Sequence, residues 1–279
     1  MGKKIDQPDI RHEIPAQDIA HFLDKALEYI IESRAIIRAA LVKGFDVKRK
    51  PDKSFVTSVD LQVETRLREL IAKHFPDHGV IGEEFPATNP EAAFQWIMDP
   101  IDGTEDFVQR LPTFGTILAL HYRGEPVVGI IDHPVLDIQL SAAFNLGTHH
   151  NGQRVTLTDI DPAAIDGSER VMLPARANFI KHRDDGRLFD KLTRAHPNHR
   201  IYRTCLTHSC AILGQADATV DYGNPVWDFA SSRILIEEAG GKFTVVRTWS
   251  VPPLGWVHGS IFGKPTLVDK LVAHFKKER

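Results

Sequence analysis

At 279 residues the chain is long enough for one large domain or for two smaller ones sharing a cleft. Hydrophobic residues at 42% and charged residues at 25% suit a globular protein in water, and a net charge of -3 offers no positive field for a nucleic-acid polymer. No apolar run approaches the roughly 20 residues of a membrane helix, and the two cysteines, Cys205 and Cys210, are too few for a disulfide framework and lack zinc-site spacing.

Residues 1–15 are polar, without a signal-peptide core, and read as a loose arm. A reducing cytoplasm is the expected home. From 16 to 42, Ile19, Phe22, Leu23, Ala26, Leu27, Ile30 and Ile31 recur at helical spacing, which predicts an amphipathic helix ending near Gly44. Lys50 precedes a polar loop over 51–59. A second helix is predicted over 61–74, with Val63, Leu67, Leu70 and Ile71 inward and Asp60 at its start, where an N-cap belongs. A turn at 75–79 leads through Val80-Ile81 into Gly82-Glu83-Glu84. Trp96 to Met98 read as a buried strand, stopped by Pro100 and Gly103. Strands over 114–122, 126–132 and 138–144, with short turns between them, predict an antiparallel meander. A stretch rich in Asp, Pro, Ala and Gly, 158–169, marks the expected boundary between an N-terminal α+β domain (16–160) and a C-terminal α/β domain (165–279).

Beyond the boundary the pattern alternates. Strands are predicted at 170–174, 200–204, 218–222 and 242–246, and helices at 187–195, 208–213, 228–239 and 266–276. The third of these helices closes on Gly240-Gly241, as a glycine C-terminal cap does. The expected fold class is α/β, in stacked layers of helix and sheet.

The segment Asp99-Pro-Ile-Asp102-Gly-Thr104 carries the most chemistry. Two carboxylates about 4 Å apart repel by roughly 4 kcal/mol at an effective dielectric near 20, so a proton or a cation must offset them. Gly103 and Thr104 can turn bare backbone N–H groups toward an anion. Acids also stand at the ends of other elements: Asp60, Glu83 with Glu84, and Asp228. Taken singly, Asp60 and Asp228 are helix caps, Glu83-Glu84 a solvated loop, and Asp99 to Gly103 an Asx-bonded turn. Taken together, they point to a metal and a phosphate.

Gly82-Glu83-Glu84, then Asp99-Pro-Ile-Asp102-Gly-Thr104, then Trp227-Asp228 before a helix ending Glu238-Ala-Gly-Gly241 resemble the inositol monophosphatase family. The likeness spans about 50 to 263 and includes an entry loop from Lys50 to Asp60. It implies an αβαβα sandwich, a homodimer, and Mg²⁺-dependent hydrolysis of a small-molecule phosphate ester, with Mn²⁺ as a possible substitute. By that resemblance Glu83, Asp99 and the Ile101 carbonyl hold one Mg²⁺, and Asp99, Asp102 and Asp228 a second. A third ion would lean on Glu83 and, through water, on Asp60. These are hard oxygen ligands of the kind Mg²⁺ takes. Ions about 3.5–4 Å apart would clamp the phosphoryl group and acidify a water, which Thr104, bonded to Asp60, would orient. Catalytic roles thus fall to Thr104, Asp60 and Glu83. Substrate contacts fall to Gly103, Thr104, Asp102 and Asp221, and support of the loop to Glu84 and Lys50.

The substrate is less sharply indicated. Phe114-Gly115-Thr116 with the Gly129-Ile-Ile-Asp132 segment, and Cys205, resemble the histidinol-phosphatase branch, whereas Thr204 stands where that branch often has an acid. Glu105-Asp106 replaces a neutral or basic pair and would favour a cationic leaving group if both acids faced the cleft. His149, His150 and His208 read as surface or satisfied groups. Histidinol phosphate and inositol monophosphate are the expected substrates. The alternatives are a sugar bisphosphatase, a nucleotide 3′-phosphatase or a non-catalytic metal and phosphate sensor.

Overall fold

The computed structural model describes residues 9–51, 53–181, 184–252 and 255–276. The expected loose arm is docked from Asp9 onward; residues 1–8 lie outside the described part. A 3-10 turn, Ile10–Glu13, is capped by Asp9. Arg11 donates to the Pro126 carbonyl at 3.2 Å and lies 4.3 Å above the Phe144 ring, which ties the turn to the neighbouring sheet. Helix α1 (Ala16–Lys43) buries Ile19, Phe22, Ala26, Tyr29, Ile30 and Ile37, and Gly44 ends it at φ 91°, a conformation glycine tolerates.

A short antiparallel hairpin follows, with β1 (Val47–Arg49) ahead of the predicted polar loop and β2 (Phe55–Thr57) inside it, both too brief to show alternation. Helix α2 (Ser58–His74) begins earlier than predicted, because Thr57 is its N-cap. Asp60 is the third helical residue, and its carboxylate reaches back to the Thr57 N–H at 2.8 Å, closing a capping box.

The first sheet takes the strand order β3 (Gly79–Gly82), β4 (Phe94–Asp102), β5 (Gly115–Tyr122), β6 (Glu125–His133), β7 (Ile138–Ala143), β8 (Gly147–His150) and β9 (Gln153–Val155). β3 runs parallel to β4 and the others pair antiparallel, so the predicted meander is present and continues through two more strands. Strand β4 does not stop at Pro100. It passes through a bulge in which Pro100 and Ile101 together face Thr116, between the pairs Asp99–Ile117 and Asp102–Gly115. Proline has no N–H to give a ladder, so a bulge is where it fits. A short helix, α3 (Thr104–Val108), follows directly, with Gly103 left-handed at φ 83°.

The second half supplies β10 (Val171–Leu173), α4 (Arg176–Lys181), α5 (Gly186–Ala195), β11 (Arg200–Ile201), α6 (Cys205–Ile212), β12 (Ala218–Asn224), α7 (Ser232–Glu238), β13 (Lys242–Val251), β14 (Gly255–Gly263) and α8 (Pro265–Lys276). Its sheet has the order β11-β10-β12-β14-β13. The helix predicted over 228–239 is divided into a 3-10 turn, Val226–Asp228, and α7, so Asp228 is not a helix cap. Strand β14 escaped prediction because Gly255, Gly259 and Gly263 make it read as a loop. A Cβ on Gly259 would sit 3.0 Å from the Tyr222 ring, and one on Gly263 would sit 2.4 Å from the Asp217 carbonyl. Close approach to β12 explains Gly259 and Gly263, whereas Gly255 has no near neighbour among the described residues and instead takes a left-handed φ of 86°.

Helices α1 and α2 cover one face of the first sheet, α6 and α7 fill the space between the sheets, and α4, α5 and α8 cover the far side of the second. This is the αβαβα layering expected. With helices on both faces, β5 and β6 are apolar almost throughout rather than alternating. The main core joins α1, α2, the first sheet and the middle helices. A second core lies under α4, α5 and α8. No helix among the described residues is long and apolar enough to cross a membrane.

Candidate active site

The bulge in β4 decides where the two aspartates point. In a regular strand, residues three apart face opposite sides of the sheet. One extra residue restores the parity, and Asp99 and Asp102 converge. Asp228, delivered by the 3-10 turn before α7, joins them, so that one carboxylate oxygen of each lies within 4.8 Å of the others. Thr116 donates to the Pro100 carbonyl at 2.9 Å, and the Ile101 N–H donates to Asp99 Oδ1 at 3.0 Å, which hold the bulge in shape. Asp102 accepts the Cys205 N–H at the start of α6. The Cys205 side chain is fully buried, and burial, then the Asp102 charge beside it, push its thiol well above the usual range.

Glu83 lines the same cleft as Asp99, Asp102 and Asp228 but stands outside the tight trio. Its loop is held by Glu64, which sequence reasoning missed. This fully buried carboxylate on α2 accepts from the Glu84 N–H at 2.9 Å, the Phe85 N–H at 3.2 Å and Arg68 Nε at 2.9 Å. Gly82 must be glycine, since a Cβ there would lie 2.1 Å from Glu64 Oε1. The signal was present: Asp60 and Glu64 are a helical turn apart, on the face that also carries Val63, Leu67 and Ile71. Lys50 bridges Glu83 at 2.8 Å and Glu84 at 2.7 Å, as a support of this loop would.

Asp60 lies behind the cleft wall, fully buried. One of its oxygens is taken by Thr57, and the other faces Thr104 Oγ1 at 3.3 Å. Thr104 Oγ1 also lies 3.1 Å from the Ile101 carbonyl, so α3 opens with a hydroxyl held in place beside the acids. Gly103 packs its bare α-carbon against Thr204, whose methyl would meet a Cβ at 2.9 Å. Thr204 itself caps α6 and donates to the Thr113 carbonyl at 3.0 Å.

The charges are in conflict. Burial, then the neighbouring charges of Glu83, Asp102, Asp228 and Asp60, push the Asp99 carboxyl well above its usual range. Burial likewise raises Asp228 well above its range, against the pull of Arg203, with Asp102 and Glu83 adding to the rise. Burial raises Asp102 despite the Cys205 N–H, and raises Asp60 despite Thr57. Glu84 is pushed up to about 7 by burial and by Glu83, against Lys50. Such a set must take up protons or bind a cation. Its donors are carboxylate oxygens, with the Ile101 carbonyl beside them, which suits a hard divalent ion.

Around these acids opens a cleft of about 510 Å³. Glu105 lines it. Asp106 does not: it accepts from Tyr202 OH at 2.6 Å and Thr113 Oγ1 at 2.7 Å, and is spent inside the protein. Asp221 is also displaced from its expected role. It is buried in mid-strand on β12, is absent from the cleft lining, and pairs with His208 Nε2 at 2.7 Å. His208 is the residue that reaches the cleft, with Nδ1 bonded to Ser232 Oγ at 2.8 Å. Burial works against its charge, but Asp221 and then Asp102 raise its pKa above the usual value. His149 and His150 lie on β8, away from the cleft. Arg49, Lys53, Asn178, Lys181 and Arg203, none of them singled out from sequence, complete the outer wall.

The pattern of the inositol monophosphatase family matches residues 18–276. A fructose-1,6-bisphosphatase/inositol-1-monophosphatase of Aquifex aeolicus is 28% identical over 243 residues, covering 85% of this chain and 87% of that protein. A histidinol-phosphatase of Mycobacterium tuberculosis is 31% identical over 204 residues, 71% of this chain and 76% of that one. The fold is similar to that of an IMPase/NADP phosphatase solved with Mg²⁺ and phosphate, with a TM-score of 0.77 at 20% identity over 92% of this chain and 95% of the other.

Proposed function

The chain belongs to the inositol monophosphatase family and is a phosphoric monoester hydrolase, and on that premise we propose that its acidic cleft hydrolyses a small-molecule phosphate ester with Mg²⁺. Glu83, Asp99, the Ile101 carbonyl, Asp102 and Asp228 would hold two or three ions. The single observation that carries this reading is the convergence of Asp99, Asp102 and Asp228, from two distant parts of the chain, within 4.8 Å. When bound, the metal supplies positive charge to the phosphoryl oxygens and acidifies water in its reach.

The remaining work falls to the chain's own residues. With the Thr104 hydroxyl donating its hydrogen bond to Asp60, the Thr104 oxygen is left to accept a hydrogen bond from the attacking water, which orients that water's lone pair at phosphorus in line with the leaving oxygen. Thr57 keeps Asp60 fixed for this task. Glu83, across the cleft, takes up the proton the water loses. The Gly103 and Thr104 N–H groups, at the opening of α3, steady the phosphoryl oxygens. A water–phosphorus bond forms, the ester bond breaks, and the departing alkoxide is protonated by solvent. No phosphoenzyme is needed, which agrees with a buried, inert Cys205. Glu84 and Lys50 keep the Glu83 loop in register.

Phosphate release from histidinol phosphate, inositol 1-phosphate, fructose 1,6-bisphosphate and adenosine 3′,5′-bisphosphate tests this reading, with Mg²⁺, with Mn²⁺ and after chelation. Release that depends on the metal is the expected result. Release that survives complete chelation, or none from any ester with Mg²⁺ present, defeats it. The same preparations in light scattering test the homodimer carried by the family resemblance.

A further inference from the structure

We propose that the outer half of the cleft is a second anion site, so that the preferred ester carries a further phosphate or a carboxylate on its leaving group. The inference rests on the phosphatase reading above and names its substrate class. Four cations line the exposed wall: Arg49 on β1, Lys53 in the hairpin turn, Lys181 at the end of α4, and Arg203 before α6. Against them stands one exposed acid, Glu105. On the inner wall the four carboxylates of Glu83, Asp99, Asp102 and Asp228 would be neutralised by two divalent ions. That leaves a surplus of three positive charges at the mouth, more than the roughly two negative charges of the ester's own phosphate.

These cations are positioned rather than scattered. The Arg49 guanidinium lies 4.7 Å above the Phe55 ring, which holds it across the hairpin. Lys181 stands one helical turn from Asn178, and both face the cleft. Between them Phe179 is fully buried, stacked on Tyr222 at 4.4 Å, which fixes α4 against the second sheet. Arg203 donates to Asn224 Oδ1 at 2.8 Å and stands 3.6 Å from Asp228, bridging the inner and outer walls. Among the described residues Arg49, Lys53 and Lys181 form no ion pair with a carboxylate. Asp106, which would have lowered the positive surplus of this wall, is turned away toward Tyr202. The geometry therefore favours anionic over aminoalcohol leaving groups.

Steady-state kinetics with Mg²⁺ should compare fructose 1,6-bisphosphate and 3-phosphoglycerate with glycerol 2-phosphate (neutral) and phosphorylethanolamine (cationic). The expected kcat/KM advantage of the anionic pair is about tenfold, falling as salt rises. In the double variant Arg49→Met, Lys181→Met that ratio should fall about three- to tenfold, and the two anionic arms tell a phosphate site from a carboxylate site. Equal or better turnover of the neutral or cationic ester, or an unchanged ratio in the double variant, overturns the proposal. If no ester is hydrolysed, the phosphatase reading fails instead, and calorimetry still reads the wall. Fructose 1,6-bisphosphate must then bind more tightly than glycerol 2-phosphate, with the difference lost in the double variant, or this proposal falls too.

Discussion

Replacing Asp102 by Asn tests the reasoning about the acid cluster because it should move stability and activity in opposite directions. The side chain keeps its shape, and the carboxamide oxygen can still accept the Cys205 N–H that Asp102 now takes. What disappears is one charge of a trio whose oxygens lie within 4.8 Å. At that separation and an effective dielectric near 20, each pair repels by about 3.5 kcal/mol. Burial and mutual repulsion raise the Asp99, Asp102 and Asp228 pKa values, so proton uptake relieves part of this. A net gain of about 1–3 kcal/mol in chelator is therefore expected, or roughly 2–6 °C in melting temperature for a chain of this size. Added Mg²⁺ should stabilise the native protein more than the variant, since only the native trio regains its full charge balance by binding. Turnover should fall at least a hundredfold, as on loss of a group that organises charge in a transition state. Differential scanning fluorimetry with EDTA and with Mg²⁺, beside phosphate release, reads all three. A lower melting point in EDTA, or undiminished turnover, would show that the trio does not hold charge in the way described.

The supports of the site make their own predictions. Gly82→Ala drives a Cβ to 2.1 Å from Glu64 Oε1, expelling a buried carboxylate that serves Glu84, Phe85 and Arg68. Urea denaturation should register a loss of about 3–5 kcal/mol, the cost of breaking a buried charged network, and an unchanged midpoint would refute the packing argument. His78 is held neutral at the edge of the core, stacked on Phe75 and Phe94 and accepting the Trp96 N–H, and burial lowers its pKa to about 4. Its contribution is whole above the unfolded value of 6.5 and is lost as pH falls toward about 4, because the unfolded chain takes the proton first. The full shift would amount to about 3 kcal/mol, and partial solvation reduces the expected loss to about 1–2 kcal/mol. His78→Phe should therefore show a shallower decline in stability over that window; parallel declines would exclude His78 as the titrating group.

Local physics made much of this molecule legible in its residues. The helical spacing of α1 and α2, the apolar runs of the meander and the glycine stop after α7 need only near neighbours to be read. So does the concentration of acids and glycine between Asp99 and Thr104, because like charges at short spacing signal a cation whatever the fold. Direction and parity did not follow from the residues alone. The bulge that turns Asp99 and Asp102 to one side depends on pairing with β5. Asp106 is removed from the cleft by Tyr202, almost a hundred residues away, and Asp221 by His208 on another element. Strand β14 hides behind glycines that make sense only against β12, and Glu64 becomes a clamp only when the Gly82 loop lies over it. Sequence determined which groups are present and which elements carry them; tertiary packing decided which of them face one another, because a side chain's partner is set by the neighbouring strand or helix and not by its own.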